Sequence, residues 1–100
     1  MGTIPSKDEV LKRLRNIPGV GEAISEDLWN LGVRDVTDLR GADPETLYNN
    51  LCDFHQREID RCMLYVLRCA VYFASTEEHD PDLLRWWVWK DRSLKQLLNR

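Results

Sequence analysis

The residues best suited to recognition chemistry lie in the run Ile17-Pro18-Gly19-Val20-Gly21, which separates two segments of helical apolar spacing. Pro18 fixes one backbone dihedral, Gly19 can take a positive φ, and Val20 can point back between the flanking helices, so the chain reverses in very few residues. Gly21 puts no side chain at the entrance of the second helix. The amides of that helix start then stand open at the positive end of its dipole, an arrangement suited to a phosphate. Arg13, Arg15, Arg34 and Arg40 would strengthen such a site if they shared its surface; otherwise they form an ordinary solvated face.

A second cluster combines aromatic rings with charge. Trp86, Trp87 and Trp89 stand among Arg85, Lys90 and Arg92, a combination that can stack on bases or grip a partner protein. Helical spacing turns Trp86 and Trp87 about 100° apart. The competing expectation is core closure, with Trp86 or Trp87 sealing the bundle and Lys90 and Arg92 solvating its rim. His55, Cys62 and Cys69 recur every seven residues, with Cys52 nearby. Two cysteines about two turns, or roughly 10 Å, apart on a straight helix cannot chelate one ion, so buried small side chains are expected rather than a zinc site. His55 and His79 are the only histidines, and no nucleophile elbow, Walker loop or zinc-hydrolase motif accompanies them. Neither enzyme activity nor a cofactor is expected.

Bulk composition sets the frame for these groups. A chain of 100 residues fits one domain, taken as residues 1–100, with a core large enough to offset the entropy of ordering the chain. With 43% hydrophobic and 31% charged residues the chain is globular rather than disordered. No apolar run approaches the roughly 20 residues that span a bilayer, and no signal sequence opens the chain, so a cytoplasmic location without membrane contact is expected. The odd number of cysteines agrees with reduced thiols. A net charge of −3 argues against a strong free-standing nucleic-acid binder. Charge is uneven, however: Glu77, Glu78, Asp80 and Asp82 form one acidic stretch, and cations dominate from Arg85 onward.

The elements that must hold these groups read as helices throughout. Ser6-Lys-Asp-Glu9 has the form of a capping box and predicts a helix from Lys7 to Asn16 with Val10, Leu11 and Leu14 inward. The next helix follows Gly21, carries Ala23, Ile24, Leu28 and Leu31 at helical spacing, and stops at Gly32. A short turn of helix is expected at Thr37 to Arg40, then a helix from Asp43-Pro44 carrying Leu47 and Leu51. The longest helix is expected from Arg57 to Ser75, with Ile59, Cys62, Met63, Val66, Leu67, Ala70, Val71 and Ala74 as its apolar stripe. Asp80-Pro81 opens a segment with Leu83, Leu84 and the tryptophans, and Leu94, Leu97 and Leu98 mark a final stretch.

The run Leu14 to Gly21 with its following helix resembles a helix-hairpin-helix module over residues 7–32, a fold that usually holds the sugar-phosphate backbone of DNA without reading sequence. The resemblance implies phosphate-facing amides at Gly19, Gly21 and Ala23, a DNA-backbone surface of Pro18, Gly19, Val20, Gly21, Ala23, Ser25, Arg13 and Arg15, and a monovalent cation on the carbonyls of Arg15, Ile17 and Val20. Many DNA-binding members place Lys or Arg in the turn after the hairpin; here Glu22 and Glu26 stand there, and Ser25 replaces a common Ala. Each carboxylate favours its own helix by about 0.3–1 kcal/mol and offsets part of the attraction for an incoming anion. The region Val36 to Met63 has the length of a second hairpin, degenerate because Cys52-Asp-Phe-His-Gln-Arg57 lacks glycine.

Further along, Arg68-Cys-Ala-Val-Tyr-Phe-Ala74 followed by Leu83-Leu-Arg-Trp-Trp87-Val-Trp-Lys-Asp91 resembles the small bacterial family found in pathogenicity-locus operons, whose members are often labelled mitomycin-resistance proteins. The resemblance extends over residues 10 to 92. The expectation is an all-α domain of five or six helices with a helix-hairpin-helix motif, binding DNA backbone weakly as an accessory to DNA damage or repair. The alternative is a protein-interaction module whose hairpin is architectural and whose surface Arg85, Trp86, Trp87, Trp89 and Lys90 meets a partner.

Overall fold

The computed structural model describes residues 4–90. Helix α1 spans Lys7–Leu14. The Ser6 hydroxyl accepts the Glu9 amide at 3.2 Å, acidic Asp8 and Glu9 occupy the first turn and basic Lys12 and Arg13 the last, each favourable to the dipole. The helix ends two residues before the expected Asn16. The amides of Asn16 and Ile17 switch to the carbonyls three residues back, Arg13 and Leu14, and the residue preceding Pro18 is sterically disfavoured from continuing a helix.

Helix α2 spans Glu22–Asn30 and terminates in a turn in which the Val33 amide returns to the Leu28 carbonyl at 3.0 Å. A 3-10 turn, η1, covers Val36–Leu39, with reciprocal capping between Asp35 and Asp38. Helix α3 spans Pro44–His55, with Asp43 as N-cap and Pro44 in its first turn as the sequence predicts. The long central helix, α4, runs only from Cys62 to Ser75. Gln56 turns left-handed with φ +55°, and the chain does not become helical again until the Asp60 carboxylate accepts the Cys62 amide at 2.8 Å. Ile59 is therefore off the helix and Cys62 is exposed, which removes both from the expected stripe.

The remainder of the stripe is buried, together with Leu64, Cys69 and Tyr72 from other faces of α4. Helix α3 and η1 pack against α4, as do two further 3-10 turns, η2 at Pro81–Leu84 and η3 at Trp86–Lys90. The expected helix after Asp80-Pro81 is thus two short turns broken at Arg85, whose ψ is 108°. A tertiary competition accounts for the break. The Leu83 carbonyl accepts the Trp89 indole Nε1–H at 2.8 Å and faces the Cys69 thiol at 3.6 Å, so this acceptor is occupied by side chains. The Arg68 guanidinium donates to the Trp89 carbonyl at 2.7 Å and to Glu45 at 2.9 Å, joining η3 and α3 across α4.

The described residues form four α-helices and three 3-10 turns with no strand, an all-α domain, where five or six helices are expected of the whole chain. The stretch of Leu94, Leu97 and Leu98, like Arg92, lies outside the described residues. No helix among those described is long and apolar enough to cross a membrane. One core cluster joins Val10 and Leu14 of α1, Ile17 and Val20 of the loop, and Leu28 of α2 to Leu39, Leu51, Leu64 and Leu67. A second holds Cys69, Tyr72 and Trp89.

Trp89 is 0% exposed, so Trp89→Ala should cost about 3–5 kcal/mol, read as a lowered midpoint in urea unfolding. A loss below about 1 kcal/mol would show that η3 does not contribute to the cooperative core.

Candidate nucleic-acid interface

The connection between α1 and α2 is closed by its own backbone. The Val20 amide donates to the Ile17 carbonyl at 3.1 Å while both side chains enter the core, and Gly19 between them takes φ +86°. Gly21 is the N-cap of α2, and the first intrahelical bond runs from the Ser25 amide to its carbonyl at 2.9 Å. The amides of Glu22, Ala23 and Ile24 precede that bond and have no carbonyl four residues back within the helix. No side chain caps them from Gly21, and a Cβ there would meet nothing within 4 Å. These donors converge where the helix dipole is positive, which is the geometry of an anion site.

Of the residues predicted for this surface, Gly19, Gly21, Ala23, Arg13 and Arg15 are exposed and Pro18 is half-buried. Val20 and Ser25 must be removed from the contact set as side chains. Val20 fills the space between the helices, and Ser25, 0% exposed, donates its hydroxyl to the Glu22 carbonyl at 2.8 Å.

The cations divide in the same way. Arg34 lies over the Trp29 ring at 3.5 Å and donates to the Trp29 carbonyl, and Arg40 donates to the Ala74 carbonyl at 3.1 Å, where it satisfies the end of α4. Both are anchored by those bonds to carbonyls outside the α1–α2 loop. Arg13 and Arg15 remain beside it, but each faces a carboxylate at 3.7 Å, Asp35 and Glu22 respectively, and Lys7 pairs with Glu26 at 3.1 Å. Such exposed pairs contribute little to stability, yet they neutralise charge that a phosphate would use. A groove of about 550 Å³ beside the loop is lined in part by Ser25, and its charged lining is Asp8, Arg15, Glu22 and Glu26. Three carboxylates against one guanidinium make that side unfavourable to an anion.

One residue of η3, Trp86, packs against the loop. A Cβ added to Gly19 would stand 3.0 Å from Cδ1 of Trp86, so the indole rests on the glycine. Trp86 is half-buried and meets Trp87 edge to face at a centroid distance of 5.8 Å. Trp87 is 57% exposed. Trp89 is fully buried, which takes it out of any partner surface; Trp86, half-buried, packs against the core as a sealing ring would, while Arg85, Lys90 and Trp87 stay accessible. Sequence reasoning had no signal for the meeting of Gly19 and Trp86, which stand 67 positions apart in sequence.

The residues weighed as metal ligands go to different surroundings. Cys52 is half-buried, Cys62 exposed and Cys69 buried, while His55 bonds Asp27 at 2.9 Å and ties α3 to α2. Burial pushes the Cys69 thiol up to about 11, and a hydrogen bond to Asp60 raises that of Cys62. Both shifts disfavour the thiolate that metal binding and nucleophilic attack require.

Gly19→Ala should destabilise the fold by about 1–3 kcal/mol, because a left-handed backbone is costly for a side chain and the new methyl must displace Trp86. In a Trp86→Ala background the same substitution should cost less, since only the backbone component remains. Equal costs in the two backgrounds, measured by chemical denaturation, would show that the ring and the glycine are uncoupled.

Searches of curated proteins and of solved structures returned no match. The family model described as Cdd1, pathogenicity locus, matches residues 7–95, taking in the α1–α2 loop, the central helix and the tryptophan turn alike. The chain belongs to the pathogenicity locus family.

Proposed function

We propose that residues 7–32 form a helix-hairpin-helix motif that holds the sugar-phosphate backbone of DNA weakly and without sequence preference, as an accessory to DNA damage or repair with no chemistry of its own. The observation that carries this reading is the open start of α2, where Gly21 leaves the first amides uncapped beside the exposed Gly19 and Ala23. The α3–α4 connection is the degenerate second hairpin: Gln56 rather than glycine takes the left-handed position, so a side chain stands where close backbone approach would be needed. A monovalent cation on the Arg15, Ile17 and Val20 carbonyls would add positive charge at the loop; the Ile17 carbonyl, having accepted one amide, keeps a second lone pair for it.

Charge limits the affinity. Lys7, Lys12, Arg13 and Arg15 stand against Asp8, Glu9, Glu22, Glu26 and Asp27 across the two helices. With Lys7, Arg13 and Arg15 already paired, few cations remain to release counterions from DNA. Neutral amides supply most of the contact, and the salt dependence should be shallow for a DNA-binding protein.

The second reading is a protein-interaction module with an architectural hairpin. It is favoured by the same neutralised cations and, separately, by the exposure of Trp87. A titration of isotope-labelled protein with a short duplex separates the two. We expect amide shifts centred on Gly19, Gly21 and Ala23, with log K falling against log salt with a slope of about −1 to −2. Gly21→Glu, which meets open space and so preserves the fold, should abolish those shifts. Unmoved amides at low salt would make the hairpin structural.

A further inference from the structure

We infer that the η3 side of the loop is a stacking platform for an unpaired nucleobase, with Trp87 as its face, so that the molecule prefers single-stranded over duplex DNA. The inference rests on the reading of the loop as a phosphate site and specifies the class of strand it takes.

Three observations support it. Trp87 is 57% exposed, although its neighbours Trp86 and Trp89 are drawn inward. Its position is nevertheless defined. Trp86 braces it edge to face at 5.8 Å while resting on Gly19, and Arg68 holds the backbone on the far side through the Trp89 carbonyl at 2.7 Å. A ring fixed in this way loses little freedom when a base stacks on it. Charge is the third observation. Residues 85–90 contain Arg85 and Lys90, both exposed, and no carboxylate, the nearest in sequence being Asp82 in η2 before them and Asp91 after, whereas the groove beside the loop carries Asp8, Glu22 and Glu26. The groove is thus unfavourable to a polyanion at the α2 amides, and the segment that carries Trp87 is not.

The occupant follows from the same features. Bases inside a duplex are stacked on one another and present only their edges, so an indole face can be used only by a base outside a helix. A single ring between two cations also lacks the contiguous apolar area of several hundred Å² that marks a protein interface. An unpaired stretch of strand offers both parts: a base for Trp87 and phosphates for the cations and the loop amides.

The test is fluorescence anisotropy at low salt with three labelled probes: a single-stranded DNA of about 12 nucleotides, its duplex, and a strand of equal length made of abasic sugar-phosphate units. The wild-type chain should prefer the single strand. Trp87→Ala should lower single-strand affinity by about 5- to 100-fold, to the level of the abasic probe, and leave duplex and abasic binding within about twofold. Trp87→Phe should restore most of the loss. Gly21→Glu should weaken all three probes together. Unchanged single-strand affinity in Trp87→Ala would overturn the platform and leave the phosphate site standing. Equal loss on the single-stranded and abasic probes would also overturn it, since stacking requires a base. Failure of the wild-type chain to bind any probe would overturn the platform and the hairpin reading together, leaving Trp87 to a protein partner.

Discussion

Helix α4 is apolar on nearly every face, and the rest of the domain is arranged around keeping water from it. Leu64, Leu67, Ala70 and Val71 are 0% exposed, and a helix with so wide an apolar surface is stable only when other segments cover it. Helix α3 and η1 cover part of it, and the C-terminal turns cover another face through Trp89. The α1–α2 pair joins the same core from its loop end through Ile17 and Val20. The turn that carries the candidate site is thus fixed by the same burial that stabilises the domain.

This shared burial gives Gly19 two roles. Its positive φ lets the loop reverse, and its missing side chain leaves room for Trp86. Because Trp86 also meets Trp87, the loop and the exposed indole are mechanically one unit rather than two independent surfaces. Rigid support from packed neighbours is what a recognition surface needs if binding is not to be offset by ordering entropy.

Electrostatics give that unit a direction. On the α1–α2 side the cations are matched by carboxylates, and two arginines that appear available in the sequence are drawn to backbone carbonyls at Trp29 and Ala74. The η3 turn, Trp86–Lys90, carries Lys90 and no carboxylate, and Arg85 precedes it at the end of η2. The carboxylate-matched cations and the exposed Arg85 and Lys90 therefore sit on different elements of the fold.

Local chemistry determined much of this architecture. Ser6, Asp43-Pro44 and Gly32 mark helix ends through hydrogen bonds and dihedral preferences that act over a few residues, and the α1–α2 turn follows from Pro18, Gly19 and Gly21 in the same way. The family, too, was legible from the run at Arg68 to Ala74 and the tryptophan segment after it. Tertiary structure decided what local preference leaves open. The late start of α4 depends on Gln56 accepting a left-handed backbone, and the break between η2 and η3 depends on the Leu83 carbonyl being claimed by Trp89, with Cys69 beside it. The choice of Trp89 for the core, and of Trp87 for the surface, belongs to the same category. Helical spacing treats such neighbouring rings as points on one cylinder, whereas 3-10 turns docked against α4 orient each ring by the cavity, the acceptor and the glycine that it meets.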